Sequence, residues 1–145
     1  IEKPMMNKEI GFGRRILQVL EDHNISFEHM PSGIDTLSVV IAASEIGDKL
    51  DLILKEIELA VQPESLDVTD KMALLTVVGR GMAHFPGLAA RALATLGEQD
   101  INVRMIDSSA SQMNLIVGVD AERYEDAVRA IYATFVHDDE QVRGY

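Results

Sequence analysis

The stretch Gly11–Ile41, GFGRRILQVLEDHNISFEHMPSGIDTLSVVI, decides the fold, because a second version of it begins 76 positions later as GLAARALATLGEQDINVRMIDSSASQMNLIV. The offset pairs Gly11 with Gly87, Arg15 with Arg91, Leu17 with Leu93, Leu20 with Leu96, Ile25 with Ile101 and Ser32 with Ser108, without a gap. Apolar positions follow the same register: Phe27 with Val103, Met30 with Ile106, Leu37 with Met113, and Val39, Val40 and Ile41 with Leu115, Ile116 and Val117. An internal repeat outranks other sequence signals, because it fixes the size of the folding unit. A chain of 145 residues admits one ordinary domain or two small ones, and the repeat selects two.

Within the first copy, Phe12, Ile16 and Leu20, flanked by Leu17 and Val19, recur at helical spacing from Gly11 to about His23. Ile25, Phe27 and His29 then alternate with Ser26 and Glu28 as a half-buried strand would. Pro31-Ser32-Gly33 signals a turn, and Leu37, Val39 and Ile41 form the apolar face of a hairpin partner. Ser44 reads as the N-cap of a second helix with the stripe Ile46, Leu50, Ile53, Leu54 and Ile57, ending before Pro63; Leu66 and Val68 suggest a short fourth strand.

The second copy opens with the apolar strand Met72–Val78, broken by Gly79 and Gly81. Pro86 suits the first turn of a helix containing Leu88, Leu93 and Leu96, with Gly97 near its end. Strands follow around Ile101–Ile106 and Met113–Val119, and Asp120 then caps a helix whose inward stripe reads Tyr124, Val128, Ile131 and Phe135. Each copy is therefore expected to be a βαββαβ, ferredoxin-like unit of the α+β class, with two helices on one face of an antiparallel sheet. The expected domains are 1–71 and 72–137, with a polar, frayed tail over 138–145. The second copy lacks a clear fourth strand and the first strand of copy one is short at Ile1, as if a preceding strand belonged to the fold; the uncovered sheet face and unpaired edges favour a pseudo-dimer or a true dimer.

Thirteen Lys+Arg against 24 Asp+Glu give a formal charge of −11, which disfavours nucleic acid or an anionic membrane as partner, since those need clustered cations. With 47% hydrophobic residues and a mean hydropathy near zero, the chain has enough apolar surface to fold. The absence of Cys removes disulfides, thiolate metal ligands and a Cys nucleophile, and suits a reducing cytoplasm. The longest uncharged apolar run, from Met72 to Gly79, is far below the ~20 residues needed to span a bilayer, and the start IEKPMMNKEI has no signal-peptide core.

No catalytic constellation stands out. His23, His29, His84 and His137 have no metal-ligand spacing, and pairs such as Glu21-Asp22 and Asp138-Asp139 read as solvated faces. There is no phosphate-binding loop of the Walker type and no Gly-x-Ser-x-Gly elbow. What remains are two glycine-rich turns leading into helices, Gly11-Phe12-Gly13 and Gly79-Arg80-Gly81 through Pro86-Gly87. Free backbone N–H groups and the positive end of a helix dipole at such a turn suit a carboxylate, although glycine there also serves a tight turn alone. Together with Ser26-Phe27-Glu28 and the turn Pro31-Ser32-Gly33-Ile34-Asp35, the first turn could recognise an amino acid. Its carboxylate would sit at the helix start, its ammonium on Glu28 or Asp35, and its aliphatic part on Met5, Met6 and Phe12.

The runs Met6–Arg15 and Ile25–Asp35, with their GFGRR and EHMPSGID segments, closely resemble the first ACT domain of bacterial monofunctional aspartokinases. Gly79-Arg80-Gly81-Met82 and Asp100–Ile106 resemble the second. The resemblance implies a regulatory segment, since the kinase domain of that family, with its ATP and magnesium chemistry, has no counterpart in these residues. It implies feedback inhibition by lysine and/or threonine, a homodimer joined through the ACT domains, and a catalytic kinase domain as partner. By resemblance, Gly11, Phe12 and Gly13 would meet the effector carboxylate, Met6, Ser26, Phe27 and Glu28 would line the pocket, and Ser32, Gly33 and Asp35 would close it. A Ser-Glu pair of the family stands here as Ser111-Gln112, which weakens the case for a second effector site. Two other readings stay open: a stand-alone ACT-type amino-acid sensor or transcription-regulator module, against which the lack of a basic DNA-binding helix counts, and a small ferredoxin-like hydrolase of the acylphosphatase type, which would need an Arg/Asn pair on a phosphate loop.

Overall fold

A computed structural model describes residues 1–78, 86–108 and 114–142, with side chains of the last stretch through residue 135. The chain divides into two compact units, Ile1–Val68 and Thr69–Tyr145, each with its own apolar core. Both are α+β, and both carry their helices against antiparallel extended segments.

In the first unit, helix α1 (Phe12–Asp22) packs on helix α3 (Leu50–Val61). Phe12, Ile16, Val19 and Leu20 from α1 meet Ile53, Ile57 and Val61 from α3, and Met6, Ile25 and Leu37 complete the cluster. The spacing i, i+4, i+8 on both helices places these side chains on one face each, and their removal from water is the main driving term for this small core. Two short pieces precede α3: helix α2 (Ala43–Ile46) and a 3-10 turn at Gly47–Lys49. Gly47, at φ +50°, separates them from one another, so the helix expected from Ser44 onward is split. Ser44 lies inside α2 and does not cap it; Ala42 holds the N-cap position.

The extended segments of this unit form single bridges and no continuous ladder. Glu2 bridges Ser65 on one side and Thr36 on the other, and the hairpin closes through His29–Val40 and Ser32–Leu37. The resulting order, 65 beside 2 beside 36–40 beside 29–32, is the 4-1-3-2 order of a ferredoxin-like sheet with all neighbours antiparallel. Two causes shorten the ladder. Glu28 N–H donates to the Val40 carbonyl while Val40 N–H donates to His29, so two residues oppose one as in a bulge, and Pro31 has no N–H to offer. Phe27, expected on the apolar face with Ile25, is instead 43% exposed beyond this interruption.

In the second unit, strands β1 (Met72–Val78), β2 (Val103–Ser108) and β3 (Asn114–Asp120) form an antiparallel sheet of order β1-β3-β2. Pairing runs Met72–Asp120 to Val78–Asn114 on one side of β3 and Val103–Val119 to Ser108–Leu115 on the other, with a register shift between Val103 and Met105. Helix α4 (Leu88–Glu98) packs on helix α5 (Tyr124–Val142), and Ala92 and Leu96 join Leu75, Ile101, Leu115, Val117, Val119, Ala127 and Ile131 in the core.

Several expectations are corrected here. Pro86 precedes the N-cap Gly87 and is not inside α4. Asp120 stands at an N-cap position, but its carboxylate accepts from Arg104 at 2.9 Å and bonds no helix N–H. Tyr124 and Val128 are exposed; the inward stripe of α5 is Ala127, Ile131 and partly buried Phe135. The expected tail from 138 is helical through Val142. Gly79, Gly81, Met113 and the pair Ser111-Gln112 lie outside the described residues. Among the described residues no helix is long and apolar enough to cross a membrane.

Candidate functional site

Helix α1 begins at Gly11, which takes φ +79°, ψ 11° at the N-cap, a left-handed conformation that costs a residue with a side chain but not glycine. A glycine N-cap has no side chain to bond the first turn, and the structure gives this helix no side-chain cap. Phe12 N–H donates to Glu9 at 3.2 Å and Arg15 N–H to Gly11 at 3.1 Å, leaving the N–H groups of Gly13 and Arg14 as the uncapped donors at the positive end of the helix. That is the geometry in which a carboxylate is held. A Cβ on Gly11 would lie 3.7 Å from Arg15 Nη1 and 3.9 Å from Arg14 Nε, so two guanidinium groups stand beside the turn.

The other expected residues distribute around this unit in three sets. Met6 and Phe12 are buried in the core, so they form the floor under the turn. Ser26, Phe27 and Glu28 are exposed on the segment that leaves buried Ile25. Ser32, Gly33 and Asp35 lie in the hairpin connection, where Gly33 N–H donates to the Thr36 carbonyl at 2.7 Å. This connection is stitched to the N-terminal segment: Asp35 Oδ1 accepts from Met5 N–H at 2.7 Å, Asp35 carbonyl from Lys3 N–H at 2.8 Å, and Ile34 carbonyl from Asn7 N–H at 3.1 Å. Asp35 thus holds Met5, a non-glycine residue at φ +60°. Among the candidate carboxylates, Asp35 serves the backbone and Glu28 carries its charge on the exposed surface.

Sequence reasoning missed a charge cluster behind the turn. The Glu9 carboxylate pairs with Lys3 at 2.7 Å and with Arg15, and the Lys3 ammonium lies 5.7 Å from the centre of the Phe12 ring. Lys3 donates to the Val61 carbonyl at 2.6 Å and Arg15 Nε to the Ala60 carbonyl at 3.1 Å, placing both cations at the C-terminal end of α3, where the helix dipole favours them. The hydrogen bond from Lys3, then the charges of Lys3 and Arg15, hold Glu9 below the usual carboxylate range. The signal was legible only as the charges themselves, since nothing in the spacing of residues 3, 9 and 15 predicts that they meet.

On the helix face of the second unit a shallow polar depression of about 580 Å³ lies between α4 and α5, bordered by Thr95, Glu98, Arg123, Asp126 and Arg129. Its cations are already engaged: Arg123 with Asp126 and the Gln99 and Asp100 carbonyls, Arg129 with Glu125. It reads as the seam between two helices, not as a ligand site.

Residues 75–135 match the family model described as the ACT domain, which agrees with the α+β sheet order and paired helices of the second unit. The chain is 38% identical over 136 residues to aspartokinase 3 of Bacillus subtilis (strain 168), covering 93% of this chain and 30% of that protein. The solved aspartate kinase of Clostridium acetobutylicum is 44% identical, with a TM-score of 0.89 over 93% of this chain and 31% of that one. Escherichia coli aspartokinase III, solved in complex with lysine and aspartate in the T-state, shares the fold at 22% identity, with a TM-score of 0.73 over 93% of this chain and 30% of that one. The chain is homologous to the ACT-bearing regulatory region of the aspartokinases, and it spans about a third of the length of each of these three proteins.

Proposed function

We propose that the chain is the amino-acid-binding allosteric segment of an aspartate kinase, through which lysine and/or threonine inhibits phosphorylation of aspartate. The single observation that carries this reading is the Gly11 turn: a left-handed glycine N-cap, two uncapped N–H groups and the exposed guanidinium of Arg14 beside them, in the same unit as the exposed carboxylate of Glu28. A free amino acid carries both complementary charges. Its carboxylate would take the turn formed by Gly11, Phe12 and Gly13, and an ammonium group would take Glu28, with Ser26, Phe27, Ser32 and Gly33 around the aliphatic part, Met6 beneath, and Asp35 keeping the hairpin connection closed. The lysine complex of the Escherichia coli relative supports lysine as one effector to test, and the acidic balance of the chain suits a cationic one.

Inhibition would follow from population shift. An effector that binds one packing of the ACT units more tightly biases the attached kinase domain toward that packing, and a differential of about 1–3 kcal/mol suffices to change activity several-fold. ATP and magnesium would act in that kinase part, in a cytoplasmic enzyme dimerised through its ACT units. The test is calorimetric titration of lysine and threonine into the chain, alone and after Glu28→Ala. Binding of either amino acid that is lost in the variant supports the assignment; equal affinity in the two proteins rejects it.

A further inference from the structure

We propose that Glu9 is a positioning residue for the Gly11–Gly13 turn: its carboxylate, held between Lys3 and Arg15, ties the turn to the C-terminal end of α3, and effector affinity depends on that tie although Glu9 itself touches no effector. The inference rests on the reading of the turn as the effector seat. Glu9 is connected to the turn in two ways. Its carbonyl accepts from Phe12 N–H at 3.2 Å, and its own N–H donates to the Met6 carbonyl at 3.0 Å, so it is the residue that joins the buried Met6 to the start of α1. Its side chain then gathers the two cations that cap the last carbonyls of α3, Lys3 on Val61 and Arg15 on Ala60, while Arg15 Nη1 also donates to the Ile10 carbonyl at 3.3 Å.

The physical need for an anion here is plain. Lys3 and Arg15 lie between the C-terminal end of α3, which favours cations, and the positive end of α1, which with Arg14 beside it disfavours them, and a carboxylate among them offsets their mutual repulsion and the α1 dipole. Without it, Lys3 and Arg15 gain by turning to solvent, the Ala60 and Val61 carbonyls lose their donors, and the turn is released from α3. The second unit has no such arrangement in its sequence: the positions 76 beyond Lys3 and Glu9 are Gly79 and Phe85. There Arg91 donates to the Thr134 carbonyl at 3.2 Å and lies over the Phe135 ring. The charged anchor therefore belongs to the unit that carries the candidate effector residues.

The experiment compares Glu9→Ala, Glu9→Gln and the control Glu56→Gln in the full 145-residue chain. The control removes a different pair, between His23 at the C-cap of α1 and Glu56 of α3 at 2.9 Å. Two quantities are read: affinity for lysine and threonine by calorimetry, at a temperature where circular dichroism shows all proteins folded, and the Gly11 and Gly13 amide resonances without ligand. The expected result is a loss of affinity of roughly 3- to 10-fold in Glu9→Ala and less in Glu9→Gln, which keeps an acceptor, with both glycine amides displaced and Glu56→Gln unchanged. Unchanged affinity, or unmoved glycine amides, in the Glu9 variants overturns the proposal. If the parent chain binds neither amino acid, the effector reading falls and takes the affinity claim with it, while the glycine amides still decide whether Glu9 fixes the turn. Should Glu9→Ala not fold, Glu9→Gln carries both readouts.

Discussion

Gly11 and Gly87 hold the same conformation in the two units, φ +79° and +85°, each as the N-cap of a helix of 11 residues. The likeness continues to the other end of both helices. Asn24 and Asp100 take φ +54° and +53°, and the N–H groups of Ile25 and Ile101 close on Leu20 and Leu96, both at 2.9 Å. The helix frame of the repeat is thus written twice with the same backbone geometry.

That equivalence separates conformational strain from ligand contact. A Cβ at Gly87 meets nothing within 4 Å and one at Gly11 makes only ordinary contacts, so alanine at either site costs the left-handed strain alone, about 1 kcal/mol. Urea unfolding of Gly11→Ala and Gly87→Ala should show equal losses, whereas only Gly11→Ala should weaken binding of lysine or threonine in calorimetry.

Ile16 and Ala92 occupy matching, fully buried places in the two cores. Ile16→Ala opens a cavity and should lower stability by about 2–5 kcal/mol. The opposite change, Ala92→Ile, forces extra atoms into the filled core of the second unit and should cost about 1–3 kcal/mol. Chemical denaturation of both variants measures this, and a neutral Ala92→Ile would show that the core there has room to spare.

Glu28 is exposed, and its backbone N–H holds the hairpin through Val40 whatever the side chain. Glu28→Ala should therefore change stability by less than about 0.5 kcal/mol while removing effector binding. A thermal-shift series with and without lysine separates the two: the parent gains melting temperature with ligand and the variant does not.

Glu9 sets a pH dependence. Its folded carboxyl is held below the ordinary range by Lys3 first and Arg15 second, so its contribution to stability is complete above the unfolded value and is lost as pH falls through the lower folded one. Glu9→Gln should accordingly be less stable than the parent at neutral pH and show a shallower loss on acidification. Parallel acid limbs in urea unfolding at stepped pH would contradict this.

How far the sequence carried the reading differs by element, for physical reasons. Helix α1 and strand β1 were legible to within a residue or two, because local signals bound them: glycine and asparagine at the ends of one, an uninterrupted apolar run in the other. The face of α5 was not. Tyr124 shares the heptad position of Ile131 but stands in the first turn of the helix, and Val128 adjoins Ala127, so periodicity alone places all four on one broad apolar face and does not say which part of it is buried. Packing in the core shared with α4 and the sheet, where Ala127 and Ile131 join Ala92 and Leu96, decides it. The first-unit strands were legible as alternation but not as a ladder, since the bulge opposite Val40 depends on a partner that local sequence does not specify.

The candidate site divides in the same way. Its turn residues were legible because a glycine before an amphipathic helix is a local backbone requirement. The part behind the turn was not, since Lys3, Glu9 and Arg15 are ordinary surface charges until the chain brings the end of α3 to them.

By itself, the sequence determined two repeated α+β units and the glycine that starts each first helix, because helix periodicity and left-handed backbone are properties of neighbouring residues. Only the tertiary structure decided which carboxylate serves the backbone at Asp35, which stays exposed at Glu28, and which binds two cations at Glu9. Those roles depend on distances between residues far apart in the chain, and only folding sets them.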